Sequence, residues 1–413
     1  MDDTEMDLIS ARLTGSDAQE AASCVEDMVD VLLINSHDVQ AQNMYGSVDA
    51  VRLGLVHMLL NGPEDGQYWA CLALSFIAHR HPDNVRRVGS TPRVFEGLLL
   101  ALSSPASRGV ACGVLSQLAF CNTDNSDAMA STPGLLERLV EVMRADRVAD
   151  RQAATCALSN SAANSRQVAL QITAAPGMIA ALAELLEGAS LWGRDAWDTQ
   201  SDQDAFRSAA SAMGCMDNLS HYPEARKALE EAGVLHVLVP AIGVKSAYEG
   251  PRVMAAESLM IITRLSPHEA IAALHVPPRV LRTVAMCLQS ALDRRQLANF
   301  AWRLSDVVEP LARLAAVEHN REGLGAGGAL DQLMRAVAMA SYNPFAAEPA
   351  QLKHCIWALV LLASTPANLH RLSETSVHRD DRLFSHRNTG IIPPSLRKQG
   401  GDEDEGGAGE EAV

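Results

Sequence analysis

A break in the helical pattern of this 413-residue chain comes back at Asp49, Pro92, Pro133, Pro176, Ala232, Pro278 and Gly327, at spacings of 43, 41, 43, 56, 46 and 49 residues. Each break is followed by an amphipathic stretch such as "LLERLVEVM" (135–143) or "VLHVLVPAI" (234–242). Apolar residues there recur every three to four positions, which is the helical period. A repeat of 40–50 residues made only of helices specifies an α-solenoid. One unit cannot bury its apolar face alone, so neighbours must stack into a continuous core. No stretch alternates polar and apolar residues as a half-buried strand would. Aromatic residues make up only 4% of the chain, and the core must therefore be filled by Ala, Leu, Val and Met on packed helices. The expected fold is all-α, a right-handed α-solenoid of about seven repeats.

A second motif recurs upstream of the breaks. Around Asn160 stand Ala157, Leu158 and Ala162. The same slots hold Cys215, Met216 and Ser220 around Asn218, and Val114, Leu115 and Ala119 around Gln117. They hold Ala73, Leu74 and Ala78 around Phe76, Ser258, Leu259 and Thr263 around Ile261, and Ala358, Leu359 and Ala363 around Leu361. Each repeat thus presents one central residue, a tooth, on its longest helix. In the sixth unit the tooth is Arg313 or Asp306, and Pro310 between them implies a kink. "CVEDMVDVLLINSHDVQAQNMYGS" (24–47) reads as a partial capping unit.

These residues resemble the armadillo repeat family: a short helix ending at a Gly or Pro-Gly break, a medium helix, then a long third helix reading "ALSNSA" (157–162). "EARKALEEAGVLHVLVPAI" (224–242) and "NREGLGAGGALDQLMRAV" (320–337) fit the family's junction between repeats. The resemblance spans about residues 20–372 and is strongest over 132–265. It implies that the third helices line a concave groove, with the teeth pointing into it. A tooth Asn can grip an extended peptide backbone through its amide, or it can tie neighbouring repeats together. Family members that act as nuclear import adaptors pair each Asn with a Trp four residues earlier. Here those slots hold Leu72, Gly113, Cys156, Gly214, Glu257 and Trp357, so the regular Trp/Asn ladder is absent. The partner-facing residues implied are Phe76, Gln117, Asn160, Asn218, Ile261, Trp357 and Leu361.

The formal net charge of −16 sits largely at the ends. Residues 1–10 carry Asp2, Asp3, Glu5 and Asp7, and "DEDEGGAGEEAV" (402–413) carries six acids without a base. Nucleic-acid binding would require a basic face, and none is present in the pattern. No apolar run is long enough to span a membrane. The eight scattered cysteines contain no C-x-x-C pair, which fits reduced thiols in a cytoplasmic or nuclear protein. The expected organisation is an acidic N-terminal segment (1–19), a repeat solenoid (20–374) and a disordered tail with an acidic end (375–413). The spacing of 56 residues places an inserted loop at 188–204, with Trp192 and Trp197 either as interface anchors or packed back on their own repeat.

Chemical motifs do not survive their context. Gly323, Gly325 and Gly328 have dinucleotide-site spacing but lie on a helical break rather than after a strand. His378–Asp380 lacks the rest of a kinase site. His79 and His81 lack further metal ligands and read as helix-end residues. No cofactor, metal or catalytic residue is expected. The expected function is a non-enzymatic scaffold or adaptor that binds another protein or peptide along the groove. The alternatives are an armadillo-type chaperone cofactor clasping a folded lobe, a transport adaptor, or an enzyme whose site is not visible in the sequence.

Overall fold

The computed structural model describes residues 3–377 except 16, 35–38, 188–199, 247, 299 and 343–347. Helices α1 (Asp3–Thr14) and α2 (Ala18–Ile34) form a starting pair. Seven three-helix units follow. The first three are α3 (Val39–Ser47), α4 (Asp49–Asn61) and α5 (Glu64–Ala78); α6 (Pro82–Gly89), α7 (Val94–Ala101) and α8 (Arg108–Ala119); α9 (Thr123–Ser131), α10 (Leu135–Met143) and α11 (Val148–Ala162). The next two are α12 (Arg166–Ala174), α13 (Met178–Glu187) and α14 (Gln200–Ser220); α15 (Pro223–Glu231), α16 (Leu235–Ile242) and α17 (Glu249–Leu265). The last two are α18 (His268–Ala273), α19 (Pro278–Asp293) and α20 (Leu304–Ala316); α21 (Glu318–Ala326), α22 (Ala329–Tyr342) and α23 (Pro349–Ala363). Helix α24 (Pro366–Val377) closes the described chain. A two-residue antiparallel pair, β1 (Gln296–Leu297) and β2 (Phe300–Ala301), links α19 to α20 and departs from the all-helical expectation.

The units begin and turn for local reasons. Asn122 and Ser165 cap α9 and α12, accepting hydrogen bonds from the N–H of Asn125 (2.9 Å) and Val168 (3.1 Å). His81 does the same for α6 through Nδ1 (3.3 Å), so it caps a helix start rather than lying against terminal carbonyls. Between first and second helices four units turn through a left-handed glycine, among them Gly134 at φ +82°. Arg93 fills that role before α7 at φ +64°.

The third helices stack in order, α2 on α5, α5 on α8, and onward to α23, and one hydrophobic core runs the length of the array. Leu13 of α1 is fully buried and α1 packs on α2 and α4, so packed helices begin inside residues 1–19. Pro310 does not end α20, which continues through it. The 188–199 part of the inserted loop, including Trp192 and Trp197, and the tail beyond Val377 lie outside the described residues.

Candidate functional site

The tooth residues of three consecutive units form one row. Gln117 Nε2 donates to Ser75 Oγ (3.0 Å). Asn160 Nδ2 donates to Ser116 O (3.0 Å) and Oγ (3.0 Å), and Asn218 Nδ2 to Ser159 O (3.0 Å) and Oγ (3.2 Å). In every case the acceptor is the residue just before the preceding tooth. The backbone carbonyls fix which amide atom is nitrogen for the two Asn residues, since a carbonyl only accepts. The donors are therefore spent on tying repeats together. Among the described residues the Oδ1 atoms of Asn160 and Asn218 accept no hydrogen bond, and the buried Gln117 Oε1 has no partner. The sequence held a signal for this: a Ser precedes the tooth wherever the next tooth is an amide.

The floor beside these teeth is built of small residues. Position i and position i−4 share a helix face, so Gly113, Cys156 and Gly214 lie next to Gln117, Asn160 and Asn218. A Cβ added at Gly113 would meet nothing within 4 Å, and one at Gly214 would only brush Ser159 Oγ (3.5 Å) and Glu257 Oε1 (3.9 Å). Cys156 Sγ lies 3.2 Å from Ser211 Oγ, and burial raises its thiol pKa despite that contact. Burial likewise pushes Cys215 up to about 12, away from a nucleophilic thiolate. Among the described residues no group of three His, Cys, Asp or Glu side chains is arranged to hold a metal.

Towards the ends of the row the character changes. Phe76, half-buried, shares its helix face with Leu72 and Trp69. Leu361 is half-buried, and Trp357 is 43% exposed. Ile261 is a correction: it is fully buried, because α14, α16, α19 and α20 enclose α17, and it offers nothing to a partner.

Next to this row lies a buried ionic junction that sequence reasoning missed. The Arg264 side chain is wholly buried; its Nη1 donates to Asp217 Oδ1 (2.5 Å) and Ser220 Oγ (3.0 Å) on α14. Its Nη2 donates to the backbone carbonyl of Asp306 on α20. That carbonyl lacks its usual helical donor because residue 310 is proline. His221 Nε2 stands 3.6 Å from Asp217 Oδ2 and 3.5 Å from Asp306 Oδ1. Burial would raise the Asp217 carboxyl, but Arg264 and His221 together outweigh it and hold it below its ordinary range. Glu257 is also buried, its Oε2 has no partner, and burial with repulsion from Asp217 raises its carboxyl well above the ordinary range. The junction also settles the sixth tooth. Asn320 Nδ2 reaches Leu314 O (3.4 Å), as Asn125 reaches Leu118 O (2.9 Å) one residue past its tooth, so the slot is Arg313. Asp306 instead accepts from the Arg303 N–H (2.8 Å) at the helix start.

No family model and no curated protein matches the sequence. Solved structures do. An engineered protein aligns with a TM-score of 0.60 over 91% of this chain and 82% of its own, at 19% identity. A designed armadillo repeat protein aligns with a TM-score of 0.50 over 63% of this chain and 99% of its own, at 18% identity. Another, in complex with the peptide (KR)4, gives 0.51 over 62% and 99%, at 20% identity. The fold is an armadillo-like, all-α repeat solenoid.

Proposed function

We propose that the third-helix surface holds an extended segment of another protein, and that the molecule is a non-enzymatic scaffold or adaptor. The supporting observation is the pair of amide teeth Asn160 and Asn218, donors turned back into the repeats and Oδ1 atoms accepting no hydrogen bond among the described residues, above a floor of Gly113, Cys156 and Gly214. Such a pair accepts hydrogen bonds from peptide N–H groups, and the small floor lets a backbone come close. Stacked helices lie about 8–10 Å apart and an extended chain advances about 3.3 Å per residue. Neighbouring teeth therefore suit N–H groups two to three residues apart. Each bond contributes only about 0.5–1.5 kcal/mol, so side-chain anchors at Leu72 and Phe76 on one side and Trp357 and Leu361 on the other supply most of the affinity.

The designed neighbour in complex with a peptide supports the same use of this fold. No single helix among the described residues is long and apolar enough to cross a membrane. Eight free cysteines, six of them buried, support a reducing location in cytoplasm or nucleus. The test is selection of a random displayed peptide library on the full chain, followed by hydrogen exchange with the enriched peptides. Protection should fall on α8, α11 and α14. Protection confined to the second helices α7, α10 and α13 would refute the reading.

A further inference from the structure

The last third helix, α23, carries the face that earlier third helices turn towards their successors. Five residues before the tooth, Cys71, Cys112, Thr155, Met213 and Ala256 are all 0% exposed. In α23 the same slot is Ile356, 47% exposed. One residue before the tooth, Ser75, Ser116 and Ser159 receive the next tooth's amide. In α23 that slot is Val360, 64% exposed, and Leu369 on α24 adds a third apolar side chain at 54%. A shallow depression of about 740 Å³ adjoins them, lined in part by Leu352, Lys353 and Trp357. A terminal repeat facing water carries a polar outer surface. This one is apolar, at the slots where stacking occurs.

We propose that the chain's own C-terminal segment, residues 390–411, docks on this face and caps the solenoid. Its position and length fit. Helix α24 ends at Val377, so residue 390 follows thirteen positions later, a reach of at most about 45 Å. The fifteen residues of α23 span only about 22 Å. Its chemistry fits as well. Ile391, Ile392 and Leu396 supply apolar side chains around Pro393–Pro394, which presets an extended conformation and lowers the ordering cost. Asp402, Glu403, Asp404, Glu405, Glu410 and Glu411 then follow without a base. From Pro349 to Ser373 the docking surface has no carboxylate but carries Lys353, Arg371, His354 and His370. An apolar segment, separated by Arg397 and Lys398 from an acidic run, thus meets an apolar face flanked by basic groups.

The experiment places the photocrosslinker p-benzoyl-phenylalanine at Val360 of the full chain, an exposed position where it leaves the core intact. After irradiation, monomer and higher species are separated and their cross-linked peptides mapped. The expected result is a cross-link within one chain to residues 386–400, reduced at least fivefold in an Ile391→Asp, Ile392→Asp variant of unchanged helicity. Cross-links between chains would make a second copy the occupant and overturn the proposal. So would a yield to residues 386–400 that the double substitution leaves unchanged, or no cross-link to them at all.

Discussion

Arg264 answers a fault that Pro310 introduces. Proline at 310 strips the Asp306 carbonyl of its helical donor, and the guanidinium of the preceding third helix supplies one while pairing with Asp217 on the helix before that. Replacing Arg264 by Met leaves the Asp306 carbonyl without a donor and the buried Asp217 without its guanidinium, at an expected cost of about 3–5 kcal/mol, measurable by urea unfolding. Glu257 acts in the opposite sense. Its folded-state pKa is raised, so stability falls as pH climbs above the ordinary glutamate value of about 4.3, where the unfolded chain ionises first. Glu257→Gln removes that term: melting should match wild type near pH 4.5 and rise above it by several degrees at pH 8. Equal melting at both values would show Glu257 to be ionised in the fold. Asp217, its pKa depressed, contributes above the ordinary aspartate value of about 3.9 and loses that contribution as pH falls below it. The sequence located Asn160 and Asn218 as teeth but left both uses of their amides open. Direction depends on Ser116 and Ser159, more than forty residues away in the chain, so the Ser before each preceding tooth gains its meaning only once the repeats are stacked.

Successive first helices are locked by asparagine. Asn125 Nδ2 donates to Val85 O (3.1 Å) on α6 and to Leu118 O (2.9 Å) at the end of α8. Asn84 and Asn368 make the same two bonds in their units. Four residues past each accepting first-helix carbonyl is a glycine, Gly46, Gly89 or Gly325, and a Cβ there would collide with the asparagine. Two of the spacings are visible in sequence, Asn84 to Gly89 and Asn320 to Gly325. Their meaning is not, because each glycine serves the asparagine of the next unit. Asn125→Ala should cost about 1–3 kcal/mol by stranding carbonyls, and Gly89→Ala about 1–3 kcal/mol by overpacking. Since both changes act on one contact, the double variant should fall clearly short of the sum in thermal unfolding. Full additivity would mean that the two residues are not coupled.

Across the whole molecule the array was legible because stacking forces every unit to repeat the same small and apolar slots. The breaks at Pro133 and Pro176 fall between α9 and α10 and between α12 and α13. The irregular stretch was less legible: α18 has only six residues, α19 runs on to Asp293, and the β1–β2 pair fills the link to α20. There α17 is enclosed nearly all round, which removes Ile261 from the surface and confines the open tooth row to α8, α11 and α14. The central claim is that this row is a peptide groove, and Gly113 tests it most directly. A leucine there has open space before it and improves helix propensity by about 0.5–1 kcal/mol. Gly113→Leu should therefore melt at or slightly above wild type while binding library-selected peptides at least tenfold more weakly. Unchanged affinity in a fully folded variant would contradict the groove.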